Sequence, residues 1–233
     1  MLRYEDVRHR YGDRTVLNGC SFAVERGECV ALLGRSGAGK TTLFRLAYGA
    51  FDPEGGRVLV GGTDLRGLRG AALRAVRARI AVVFQSHELI DQLSVATNVI
   101  AGTFGRRSTF DALRAVLRPT VLERRLVHDA LEHVGLAERA ADRAYELSGG
   151  QRQRVAVARA IASRAELVLA DEPAASLDPT LAREIVDLLL ADARERGAAL
   201  VCTLHQPELT RDFDRVVTID AGRVVRDSVA GAA

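Results

Sequence analysis

The sequence predicts an α/β fold, and three observations carry that prediction. The apolar run Val30-Ala31-Leu32-Leu33 breaks into a glycine-rich loop that opens a helical pattern. From residue 167 onward, short apolar strands alternate with helical stretches, the order that crossover connections of a parallel sheet require. Between residues 87 and 149, by contrast, almost every stretch reads as helix, a block inserted into the alternating pattern.

Taken in order, residues 2–62 read as short strands: Leu2–Val7, Val16–Val24, Glu28–Leu33 and Arg57–Val60. Glycine-bearing turns separate them, which implies antiparallel pairing. The helix after the glycine-rich loop spans about Gly39 to Gly49 and is stopped by Asp52-Pro53-Glu54-Gly55-Gly56. Residues 80–84 form a continuous apolar run, as in a buried parallel strand. In the inserted block the expected helices are Ser94–Phe104, Phe110–Leu117, Val121–Val134 and Ala137–Tyr145. Strands then recur at 167–170, 199–204 and 215–219, with helices at Arg152–Ser163, Pro179–Arg194 and Pro207–Phe213, and a last strand at Arg223–Arg226. One domain unit is expected, with residues 1–86 and 151–233 as an α/β core bearing an antiparallel β portion, and 87–150 as a helical subdomain.

Composition narrows the function classes. A chain of 233 residues can bury a substantial core. No apolar run approaches the ~18 residues of a spanning helix, and the start of the chain shows no signal peptide, so residence in the cytosol is expected. The net charge of +3 is mild, and aromatic residues are only 5%. With no coiled-coil insertion, zinc motif or basic stripe carrying aromatics, a nucleic-acid partner is not expected. Cys20, Cys29 and Cys202 form no C-x-x-C pair and read as reduced core residues. Lys40 is the only lysine in an arginine-rich chain. A compact ammonium is therefore called for at that one place.

Lys40 lies in Gly34-Arg35-Ser36-Gly37-Ala38-Gly39-Lys40-Thr41-Thr42, a phosphate-binding loop. Its glycines let successive N–H groups turn toward an anion at a helix start, Lys40 reaches the β- and γ-phosphates, and the Thr41 hydroxyl ligates Mg²⁺. Leu167-Val168-Leu169-Ala170 delivers Asp171 and Glu172 to a strand end, where one carboxylate can hold Mg²⁺ and the next can polarise a water. Ser148-Gly149-Gly150-Gln151 precedes a helix and forms a second glycine-rich helix start suited to phosphate.

Together with Gln85, Ser176-Leu177-Asp178 and His205, these motifs come in the order and rough spacing of ATP-binding-cassette ATPases, and the chain resembles that family over essentially its whole length. The resemblance implies a P-loop NTPase cassette with a RecA-like core, using ATP and Mg²⁺. It implies that Tyr11 stacks on adenine, that Gln85 touches Mg²⁺ and the attacking water, and that Asp171 is the metal-associated carboxylate. Glu172 then orients or deprotonates the water, Asp178 communicates across a dimer, and His205 contacts the γ-phosphate. It also implies that Ser148 to Gln151 of one copy close on ATP held by Lys40 of another.

The implied partners are a second copy of the chain, transmembrane permease subunits and, indirectly, a substrate-binding protein, with the chain at the cytoplasmic face of the membrane. Residues 86–98 are the expected permease docking segment, and charge reversal at Glu88 within it, or at Arg106-Arg107, is expected to uncouple transport while sparing basal ATPase activity. Ala175-Ser176 before Leu177, Gln206 after His205, and Asn98–Phe104 leading into Ser108–Leu117 resemble the phosphonate-importer ATPases. Importers of phosphite or phosphate fit equally at this stage. The alternatives to this leading reading are a cassette for lipoprotein release or amino-acid import, and a soluble cassette of a phosphonate-degrading complex.

Overall fold

A computed structural model describes residues 1–86, 88–175 and 177–230. In chain order come strands β1 (Leu2–Tyr11), β2 (Arg14–Val24) and β3 (Cys29–Leu33), helix α1 (Lys40–Ala47), strands β4 (Gly55–Val60) and β5 (Thr63–Asp64), helix α2 (Gly70–Arg77) and strand β6 (Ile80–Val83). Helices α3 (Val95–Ile100), α4 (Thr109–Leu117), α5 (Val121–His133) and α6 (Gly149–Ser163) follow. The chain then runs through β7 (Leu167–Ala170), α7 (Pro179–Arg196), β8 (Ala199–Leu204), β9 (Arg215–Asp220) and β10 (Arg223–Val229).

The strands form two sheets. One is antiparallel with the order β2-β1-β4-β5, and the other has the order β10-β9-β3-β8-β7-β6. The second is parallel from β9 to β6 and closes on antiparallel β10. The short strand Glu28–Leu33 therefore does not join the antiparallel set its neighbours form. As β3 it lies between β9 and β8, because its five residues are apolar enough to be covered on both faces.

Burial on both faces splits the core in two with the strand period of two. Cys29, Ala31, Val168, Ala170, Leu200 and Cys202 face α6 and α7. Val30, Leu32, Leu167, Leu169 and Val201 face α1 and the antiparallel sheet. Several helices are started by capping side chains of their own sequence. Thr120 and Glu123 form a capping box on α5, and Ser148 and Gln151 form one on α6. Asp178 caps α7 with Pro179 behind it, and left-handed Gly197 ends that helix.

Two expected helices are absent. Residues 137–145 hold only the tight turns Ala137–Arg139 and Ala144–Glu146, because the carbonyls of Ala140 and Asp142 turn outward to accept from Ala96 N and Val95 N, both at 2.9 Å. Residues 207–213 hold a single turn, Pro207–Thr210, beyond which Asp212 is tied to Arg183 and Arg194 of α7. Helix α2 and the two-residue β5 are further elements between β4 and β6. β1 runs on past Val7 to Tyr11, kept paired to β2 through register shifts.

Candidate functional site

The phosphate-binding loop joins β3 to α1. Gly37 (φ 79°) and Gly39 (φ 107°) take left-handed backbone, and a Cβ on Gly39 would stand 2.7 Å from Leu17 Cδ2 and 3.0 Å from the Val16 carbonyl. No side chain caps α1, so its first amides are left for an anion. Lys40 is 4% exposed, and its Nζ donates to the carbonyls of Gly34 (2.6 Å) and Arg35 (3.2 Å). Burial lowers its pKa, and the charges of Glu172 and Asp171 act against that fall.

Those carboxylates leave the end of β7, next to β8. Asp171 is buried, its Oδ1 accepts from the Thr203 hydroxyl at 2.9 Å, and its amide donates to Val83 O at 2.8 Å. Burial raises its pKa, against which the hydroxyls of Thr203 and Thr41 act by hydrogen bonding. The same Thr203 oxygen accepts from Glu172 N at 2.7 Å. Glu172 has a φ of 49°, a left-handed conformation that costs a residue with a Cβ about 1–3 kcal/mol and turns the chain sharply out of the strand. Its Oε1 lies 2.5 Å from His205 Nε2, just beyond β8.

The sheet order explains the convergence. β3, β8, β7 and β6 are consecutive neighbours, and their C-terminal ends supply Lys40 and Thr41, then Thr203 and His205, then Asp171 and Glu172, then Gln85. That edge is where ligands bind in open parallel sheets. Gln85 is exposed there, two residues beyond β6. Tyr11 ends β1, half-exposed, with His9 packed edge-on at 4.9 Å and Phe51 at 6.1 Å.

The other predicted residues lie apart from this edge. Ser148 Oγ accepts from Gln151 N, and Gln151 Oε1 accepts from Ser148 N at 3.0 Å. Asp178 Oδ1 accepts from Thr180 N and Leu181 N. Among the described residues none of these bonds to the phosphate loop. The starts of α6 and α7 are neighbours of each other, since a Cβ on Gly150 would strike Leu181 Cδ2 at 2.4 Å. Gly149 faces open space. Ser176 and His87 lie outside the described residues.

Residues 17–175 match the sequence profile of the ABC transporter family. The chain belongs to that family. As an ABC ATPase it hydrolyses ATP and couples hydrolysis to transport. It is 47% identical to a Frankia casuarinae protein named "Phosphonates import ATP-binding protein PhnC", over 99% of this chain and 90% of that one. It is 42% identical to a Rhodopseudomonas palustris protein of the same description, over 100% and 86%. Among solved structures it resembles the dimeric bacterial ABC transporter cassette MJ0796, with a TM-score of 0.88 and 28% identity over 100% of both chains. The post-hydrolysis MJ0796 dimer bound to ADP and Pi gives 0.85 at 27% identity, again over both whole chains.

Two residues of the cassette site escaped the sequence reading. Thr203 sits in an apolar strand with nothing local to mark it, and only the pairing of β8 with β7 brings it under both carboxylates. Arg14 starts β2 opposite Tyr11, and its guanidinium comes within 3.2 Å of where a Gly37 Cβ would be. Its place three residues after Tyr11 was the available signal. Arg106 and Arg107, named with the docking segment, also make contacts inside the chain. Arg106 donates to Ala78 O (3.1 Å) and Arg164 O (3.0 Å), and Arg107 pairs with buried Glu123, so both serve the fold.

Proposed function

We propose that this chain is the ATP-hydrolysing subunit of an importer for phosphonate or a related oxyanion, working as a dimer with ATP between two copies. The observation that carries the mechanism is the ladder of Lys40, Thr203, Asp171, Glu172 and His205 along one sheet edge. The names of the relatives carry the substrate class.

The residues present suit ATP and Mg²⁺. The loop is an anion cradle with a desolvated ammonium, and Thr41, Gln85 and Asp171 offer hard oxygen donors. Bound Mg²⁺ supplies charge neutralisation on the transferring phosphoryl group. Lys40 binds the phosphate charge, Glu172 orients and accepts the proton of the attacking water, and His205 fixes the Glu172 carboxylate. Tyr11 offers its ring to adenine.

Ser148 to Gln151 and Asp178 complete the site of a second copy. Gly149 supports this, because among the described residues no atom lies within 4 Å of where its Cβ would be, which leaves room for a close approach. The chain sits at the cytoplasmic face of the membrane, consistent with no described helix being long and apolar enough to cross it. It docks to its permease through the segment beginning at residue 86, where Phe84, Glu88, Gly102 and Arg159 line a groove.

The test is reconstitution with the co-encoded permease and binding protein in vesicles. Phosphonate-loaded binding protein stimulates ATP turnover, and stimulation by amino acids or lipoprotein instead overturns the substrate assignment. Glu172→Gln traps an ATP-bound dimer on size exclusion, and a monomer in ATP and Mg²⁺ contradicts the mechanism.

A further inference from the structure

Ten large apolar side chains are exposed among the described residues, and five belong to one stretch. Phe110, Leu113 and Leu117 lie on α4, and Val121 and Leu122 open α5, with exposures of 57 to 79%. The three- and four-residue spacing puts the α4 members on one face, while Ala115 on the opposite side is buried in the core.

This face is held rigidly. Buried Glu123 accepts from Arg114 of α4, from Arg107 before it and from the Thr120 amide at the start of α5, so the turn between the two helices is pinned. The apolar face is therefore a fixed feature of the fold.

Charge is concentrated on the same stretch. Residues 106–125 hold six arginines against Asp111 and Glu123, a net +4, whereas the whole chain carries +3. The rest of the molecule is thus slightly negative. Arg107 and Arg114 are taken up by Glu123 and Arg106 by backbone carbonyls, which leaves Arg118, Arg124 and Arg125 as the exposed cations of this stretch. Arg118 and Arg125 are exposed beside it. A protruding amphipathic helix with aromatic and leucine side chains outward and arginines at its border fits an anionic lipid interface.

We infer that the outward face of α4 and the start of α5 is a lipid-contact surface that seats on an anionic bilayer. The inference rests on the proposed reading of the chain as a peripheral membrane subunit. So small a face binds reversibly, adding a second anchor to the permease contact.

The chain has no tryptophan, so F110W makes a single emission reporter. In the full chain, its emission shifts to the blue on adding vesicles of phosphatidylcholine with phosphatidylglycerol, and far less with phosphatidylcholine alone. Arg118→Gln with Arg125→Gln weakens vesicle binding about thirty-fold. Leu113→Ser with Leu117→Ser abolishes the shift, and ATP turnover in solution is unchanged in both pairs. No shift with anionic vesicles, equal binding to both vesicle types, or indifference to either pair overturns the inference. So does a shift seen only with purified permease in lipid-free detergent, which makes the face a protein contact. ATP-driven uptake that persists without vesicle binding leaves the proposed function standing while this inference fails.

Discussion

Thr203→Val removes one hydroxyl and keeps the shape of the side chain. That hydroxyl donates to Asp171 Oδ1 at 2.9 Å and accepts from Glu172 N at 2.7 Å, and the residue is fully buried. Loss of a hydrogen bond to a charged group costs about 1.5–3 kcal/mol, and an orphaned buried amide about 1–3 kcal/mol. Some water reaches the site's open side, so about 3 kcal/mol in total is expected. For a chain of this size that corresponds to a fall in Tm of roughly 6–12 °C. The deficit depends on pH with a definite sign. Burial raises the pKa of Asp171, so ionising it opposes folding, a penalty absent below the ordinary carboxylate pKa and growing as pH rises through the raised value. Thr203 offsets part of that penalty, so the variant's deficit is larger at neutral pH than near pH ~3. Urea unfolding of wild type, Thr203→Val and Thr203→Ser at both pH values measures it, with serine restoring most of the loss. A valine variant within about 0.5 kcal/mol of wild type at neutral pH would mean that the Thr203 hydroxyl does not stabilise Asp171 and the Glu172 amide.

Other parts of the structure give equally direct tests. The Arg114 guanidinium, with Arg107 and the Thr120 amide, holds the Glu123 carboxyl well below the usual range. Its stabilisation is present above the ordinary glutamate value and is lost as pH falls below it. Glu123→Ala should cost about 3–5 kcal/mol in urea unfolding at pH 7, and its difference from wild type should shrink below about pH 4. Gly149→Ala should leave the thermal unfolding of the single chain unchanged and weaken ATP-dependent dimerisation, whereas Gly150→Ala should lower Tm by collision with Leu181. Burial pushes the Cys20 thiol up to about 12 and Cys29 to about 11, with Cys202 raised as well. A disulfide reagent at neutral pH should modify none of them at an appreciable rate until urea unfolds the chain, and fast modification in the native state contradicts their burial.

The phosphate loop, the Asp171-Glu172 strand end and the Ser148–Gln151 helix start are legible because each is a local pattern. Lys40 needs only its neighbours from Gly34 to Gly39 to be placed. Thr203 was not legible, since its role arises when β8 pairs with β7, a contact between residues about thirty apart in sequence. Residues 137–145 have helical composition, and they fail to form a helix because α3 needs the carbonyls of Ala140 and Asp142 for its own first amides. Arg106 and Arg107 look like solvated charge in sequence. Only the packing of α4 on α5 shows Arg107 to be the partner of a buried carboxylate.

The placement of Lys40 bears on how fast a nucleotide can be captured. Its ammonium is stripped of most of its water when the chain folds, and the Gly34 and Arg35 carbonyls stand in for the lost hydration. An arriving phosphate therefore exchanges with two backbone oxygens already at hand, and the only water left to shed is its own. Much of the energetic preparation for the first contact is complete before the ligand arrives, stored in the same glycine-rich turns that keep the loop open.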